Sequence, residues 1–185
     1  MNATRLLGMG LVALPAVMVL IAAGTASPAE PTASALPVPV VQTCTGFQTE
    51  TFTPGLNATL RQVVGEGNGE LTSCVPFGDS LPASGRVTST MAGMMSCGGG
   101  TRTRNTTITW DDGGSSTLQE SGSVESPVGG GRAAVFTGKI LSGRFAGATT
   151  VTTRTLSPLP KPQCATEAGL TEAGGPLTVE ITHVP

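Results

Sequence analysis

From Thr43 onward, Thr, Val and Ser alternate with apolar residues, and Gly or Pro interrupts the alternation roughly every 8–12 residues. A period of two places successive side chains on opposite faces of a strand. The pattern predicts strands at 43–53, 58–66, 84–97, 104–111, 116–125, 132–142, 147–156 and 176–183, with 69–74 extending the second strand after a break at Gly65-Glu66-Gly67-Asn68-Gly69. The alternation also assigns inner faces. These are Val87, Met91, Met95 and Cys97 in one strand, and Thr106, Ile108 and Trp110 in the next. Later strands contribute Ala134, Phe136 and Ile140, then Leu177, Val179 and Ile181. The stretch 147–156 is nearly all Thr and reads as a half-exposed pleated surface.

The connections have the chemistry of tight turns. Asp111-Asp112-Gly113-Gly114 accepts positive φ, and Gly-rich runs at 127–131 and 142–147 read as further hairpins. The one helical candidate is a turn or two at 165–173. Short successive connections favour an antiparallel meander. The predicted fold is all-β, about eight strands arranged as a barrel or a sandwich, with strand order left open.

The first 26 residues read as an export signal. Arg5 precedes an apolar run over 6–23, and Gly24-Thr25-Ala26 supplies small residues for cleavage after Ala26. The alternative is an uncleaved anchor, which Pro15 disfavours. Residues 27–41, rich in Pro and Ala, read as a flexible leader, and 42–185 as a single β domain. The expected protein is secreted, extracellular and free of membrane after cleavage.

Cysteine use fits export. Cys44, Cys74, Cys97 and Cys164 form an even set with no close pair, which favours two disulfides over a metal site. Of the three possible connectivities, Cys44–Cys74 with Cys97–Cys164 is preferred. The first joins neighbouring strands, and the second pins the Pro-rich loop around Cys164 to the sheet.

A set of turns and cysteines carries a resemblance. It runs Cys44-Thr45-Gly46, Pro54-Gly55-Leu56, Ser73-Cys74, Ser96-Cys97, Ile108-Thr109-Trp110-Asp111-Asp112-Gly113, Ser142-Gly143-Arg144-Phe145-Ala146-Gly147-Ala148, then Pro158 to Cys164. This order is similar to that of small uncharacterised secreted proteins of actinobacteria such as streptomycetes, over most of 42–185. The resemblance implies export and a fold class, and brings no activity and no site residues.

Candidate chemistry is sparse. Charged residues make up 12% of the chain and aromatics 3%, with no Tyr and one His. His183, near the C-terminus, has no nucleophile motif to serve, and Gly114-Ser115-Ser116 belongs to a turn. The carboxylates Glu50, Glu66, Glu70, Asp111, Asp112, Glu120 and Glu125 could in principle form an acid–base pair, with Glu50 and Glu120 the two on strands that could face a cavity. The lack of stacking aromatics argues against sugar hydrolysis. No catalytic residue, cofactor or metal is expected.

Residues 86–161 concentrate positive charge in Arg86, Arg102, Arg104, Arg132, Lys139, Arg144, Arg154 and Lys161. This is either a basic face for an anionic polymer such as wall teichoic acid or ordinary scatter. Aromatic interleaving for nucleic acid is absent. Trp110 reads as a core plug beneath its hairpin, its indole N–H bonded to a loop carbonyl, with a ligand anchor as the competing role.

The leading expectation is a secreted non-enzymatic β-module that binds something or belongs to the cell envelope. A barrel version would hold a small apolar ligand against Met91, Met95, Phe136 or Trp110; a cell-wall polymer is the other partner class. One alternative is a protease inhibitor presenting a disulfide-anchored loop at 74–77 or at Lys161–Cys164. The other is an enzyme of unknown type, which the residue inventory disfavours.

Overall fold

The protein's structure, a computed structural model, describes residues 40–75, 81–125, 132–156 and 161–183. All of them fall in one unit, Leu36–Pro185. The predicted signal segment and all of the leader but its last two residues lie outside the described residues.

Eight strands follow one another in order. They are β1 (Val40–Leu56), β2 (Arg61–Val75), β3 (Gly85–Ser96), β4 (Gly99–Trp110), β5 (Ser115–Glu125), β6 (Arg132–Gly143), β7 (Thr149–Leu156) and β8 (Leu170–His183). Each pairs antiparallel with the next, and β8 closes on β1 to form a barrel. Closure leaves no open edge for another chain to pair with. The ladder runs Val63, Gly93, Arg102, Gly122, Phe136, Thr152, Val179, Cys44 and then Cys74, returning to β2 well displaced from its start. That stagger is the strand tilt that closing a sheet requires.

Two expectations change. The break at 65–69 is absent, because Gly65, Gly67 and Gly69 lie inside a continuous β2 and face the interior. Gly67 has a steric reason: a Cβ there would stand 2.4 Å from Ser89 Oγ and 2.7 Å from Gln48 Nε2. The helix sits earlier than expected, as the single turn α1 (Lys161–Cys164), and β8 already starts at Leu170. The Thr-rich strand β7 is half-exposed as expected, with Thr150 and Thr152 buried on one face and Thr149, Val151 and Thr155 exposed on the other.

Buried apolar residues form two clusters inside the barrel. At one end Cys44, Leu71, Val87, Ile108, Trp110, Leu118, Ile140, Leu177, Val179 and Ile181 form the main plug. Trp110 is a core plug, as its place beneath the hairpin suggested. Its indole N–H donates to Ser116 Oγ at 2.9 Å, and that hydroxyl donates to the Arg144 carbonyl at 2.6 Å. The expected loop carbonyl is therefore reached through a hydroxyl relay. The turn after β6 places Phe145, at φ 61°, edge-on to Trp110 with ring centroids 5.8 Å apart. At the other end Phe52, Leu56, Val63, Met91, Met95 and Leu170 form a second plug. The disulfides are Cys44–Cys74, between directly paired residues of β1 and β2, and Cys97–Cys164, which ties α1 to the β3–β4 turn. Such bonds belong to an oxidising compartment.

Candidate functional site

Between the two plugs lies a charged layer. On β4 the same alternation that turns Thr106, Ile108 and Trp110 inward also turns Arg102 and Arg104 inward. β1 contributes Gln48 and Glu50, β5 Glu120, and β7 Thr150, Thr152 and Arg154, all buried.

Glu120 and Arg104 are direct cross-strand partners. Arg104 donates to Glu120 Oε2 from Nε at 3.1 Å and from Nη2 at 2.9 Å. Thr106 donates to the same oxygen at 3.1 Å, and Thr152 donates to Oε1 at 2.6 Å. Gly138 opposite Glu120 has no side chain because a Cβ would come within 2.8 Å of Glu120 Cγ.

Glu50 faces three guanidinium groups. Arg102 Nη1 stands 3.0 Å from Oε2, Arg154 Nη1 meets the same oxygen, and Arg104 Nη1 lies 3.6 Å from Oε1. Burial raises the Glu50 pKa, and the charges of Arg102, Arg154 and Arg104 together outweigh it, leaving the carboxyl below its ordinary value. Arg154 also donates from Nη2 to the carbonyls of Gln48 and Ala173. Gln48 joins Ser89 at 3.1 Å and accepts from Arg104 Nη1 at 3.3 Å.

Arg102 touches three of the four residues expected to contact a ligand. Its Nη1 lies 3.2 Å from Met91 Sδ and 3.7 Å from Met95 Sδ, and its guanidinium carbon sits 4.7 Å from the Phe136 ring centre. Arg104 lies over the same ring at 4.6 Å. The place between Met91, Met95 and Phe136 is thus taken by the protein's own arginine. Trp110 belongs to the opposite plug, apart from the other three.

The remaining candidates scatter. Glu66 and Glu70 are exposed. Asp111 accepts from Ser84 and the Ala83 N–H, and Asp112 pairs with Arg144 across two hairpins. β8 ends at His183, whose backbone pairs with Val40; the side chains of His183 and Glu125 lie outside the described residues. Glu50 and Glu120 do share the interior, but both are held by arginine, and the Glu50 shift is opposite to what a general acid needs. Among the described residues no group of three or more His, Cys, Asp or Glu could hold a metal ion. Of the loops proposed to face a protease, Lys161–Cys164 is a helical turn; Cys74 and Val75 end β2, and residues 76–77 lie outside the described residues.

Three of the eight basic residues of 86–161, Arg102, Arg104 and Arg154, are therefore inside the barrel and contribute no basic face. Arg86 and Lys139 are exposed, and Arg144 is paired.

The outer wall is rich in hydroxyl and amide groups. An open groove of about 710 Å³ crosses β3–β6, lined by Ala92, Met94, Thr101, Thr103, Ser121 and Val135 among others. A second, of about 470 Å³, adjoins it through shared Thr103, Ser121 and Thr137 and extends to Gln119, Lys139 and Leu141. The exposed side chains of Met94 and Leu141 stand toward the two ends of this strip.

No protein-family model, no curated protein and no solved structure matches the chain.

Proposed function

We propose that the protein is a secreted, non-enzymatic β-barrel module that binds a neutral, hydroxyl-rich glycan of the cell envelope along its outer wall. The observation that carries this reading is the continuous groove over β3–β6. Its hydroxyls at Thr101, Thr103, Ser121 and Thr137 offer donors and acceptors in a row, and Met94 and Leu141 offer apolar contact for the faces of sugar rings. Supporting it, the described interior carries two apolar clusters and the charged layer, so a polymer meets the wall and loops. Withdrawal of three arginines from the surface favours a neutral polymer over an anionic one.

The test is co-sedimentation of the purified protein with isolated cell walls, before and after anionic polymers are stripped. The proposal predicts equal binding to both preparations, loss of binding in Ser121→Glu with Thr137→Glu, and retention in Lys139→Gln. Binding that disappears with the anionic polymers would point instead to the basic residues. No binding to either preparation would remove the glycan reading.

A further inference from the structure

Among the described residues the charged layer does not balance. Three guanidinium groups, Arg102, Arg104 and Arg154, face two carboxylates, Glu50 and Glu120, and all five residues are buried. Arg104 uses its Nε, Nη1 and Nη2 on Glu120 and Gln48. Arg102 differs. Its Nη1 faces Glu50 Oε2, while buried Nε and Nη2 have no hydrogen-bond acceptor among the described residues, and neither oxygen of Glu50 has a hydrogen-bond donor there. Those two atoms form the side-on fork with which an arginine grips both oxygens of a planar anion or a single halide. Arg154 meets the same Glu50 oxygen and likewise has a buried Nε without an acceptor among the described residues.

We propose that the barrel interior binds one small monovalent anion, of the size of chloride or formate, on the Nε–Nη2 edge of Arg102 beside Arg154. A water molecule would satisfy the hydrogen bonds there but leave the extra charge uncompensated. Among the described side chains the other acidic residues, Glu66, Glu70, Asp111, Asp112, Glu167, Glu172 and Glu180, are all exposed and cannot serve. The surroundings select the charge of the ion. Arg102 lies among Met91, Met95 and Phe136, where a divalent oxyanion would be costly to dehydrate and would overcompensate a single excess charge. Burial pulls the Arg102 pKa down to about 10; Glu50 opposes this, and Arg154 and Arg104 add to the fall, as expected where positive charge is in excess. The ion binds the folded barrel and not the unfolded chain, so its binding is read in the folding equilibrium.

The experiment measures urea unfolding of the purified protein at fixed ionic strength, replacing sodium gluconate stepwise by sodium chloride, and separately by sodium formate. Above the dissociation constant, each tenfold rise in the small anion is expected to raise the folding equilibrium constant about tenfold. Arg102→Met, which removes both the fork and the excess charge, is expected to abolish the dependence. Crystals grown in sodium bromide are expected to show an anomalous peak within hydrogen-bond reach of Arg102 Nε and Nη2, a readout that stands if Arg102→Met does not fold. A response to formate alone would identify a planar oxyanion, and a response to both a site indifferent to shape. Equal stability in gluconate, chloride and formate, with no bromide peak at Arg102, would overturn the proposal and assign the fork to water.

Discussion

Arg104 and Glu120 sit opposite each other on β4 and β5, and the arginine donates both Nε and Nη2 to one carboxylate oxygen. The pair is buried, so the value of each partner depends on the other being present. Glu120→Ala strips Arg104 of its main counter-charge and leaves Thr106 and Thr152 without their acceptor. The expected loss is about 3–5 kcal/mol of stability. Glu120→Gln keeps the acceptor and is expected to recover part of it. Urea unfolding of both variants checks the order.

Acid is expected to destabilise the barrel through Glu50. Its folded pKa lies below the ordinary value of 4.5, because three arginines outweigh burial. A depressed carboxylate contributes stability that is fully present above the unfolded pKa and is lost as pH falls through the folded one. Stability should hold through neutral pH and decline below about pH 4.5. Glu50→Gln should flatten that decline. Arg102 works in the other direction. Its depressed pKa penalises the folded state at neutral pH, and the penalty is relieved as pH rises through about 10. Denaturant midpoints measured against pH test both signs.

Much of this barrel was legible from period and punctuation. The inner faces Val87–Met91–Met95, Thr106–Ile108–Trp110 and Leu177–Val179–Ile181 are the faces observed, and both preferred disulfides are present. Of the charged layer, Glu50 and Glu120 were legible as strand carboxylates that could face the interior; the arginines were not, because the inward side of each strand was assigned by its apolar members. Continuing the period of Thr106–Ile108–Trp110 two and four residues back reaches Arg104 and Arg102. Nothing local reveals that Glu50, far away on β1, neutralises them. The glycines misled for a related reason. Gly65, Gly67 and Gly69 look like a turn, yet each sits in β2 at the inward position, where a side chain would collide with a neighbouring strand.

Gly67→Ala tests that explanation. The added methyl would press on Ser89 Oγ and Gln48 Nε2 and break their hydrogen bond. Overpacking of this kind costs about 1–3 kcal/mol. Ser89→Ala removes the nearer atom, so the cost of Gly67→Ala should be smaller in that background. A double-mutant cycle by urea unfolding measures the difference.

Trp110 is the only tryptophan and is 2% exposed, so its fluorescence reports the plug at its end of the barrel. Native emission should be blue-shifted and poorly quenched by iodide. Trp110→Phe keeps the ring but loses the bond to Ser116, at an expected cost of about 1–2 kcal/mol. Thermal unfolding followed by circular dichroism checks it.

The central claim is that three arginines are locked inside the barrel by carboxylates. The most direct measurement is hydrogen exchange of arginine Nε–H groups, followed by two-dimensional nitrogen–proton spectra after transfer to deuterium oxide. Arg102, Arg104 and Arg154 are predicted to keep their signals for hours, while exposed Arg86 loses its signal within the dead time. Loss of all arginine Nε–H signals together would contradict the buried layer.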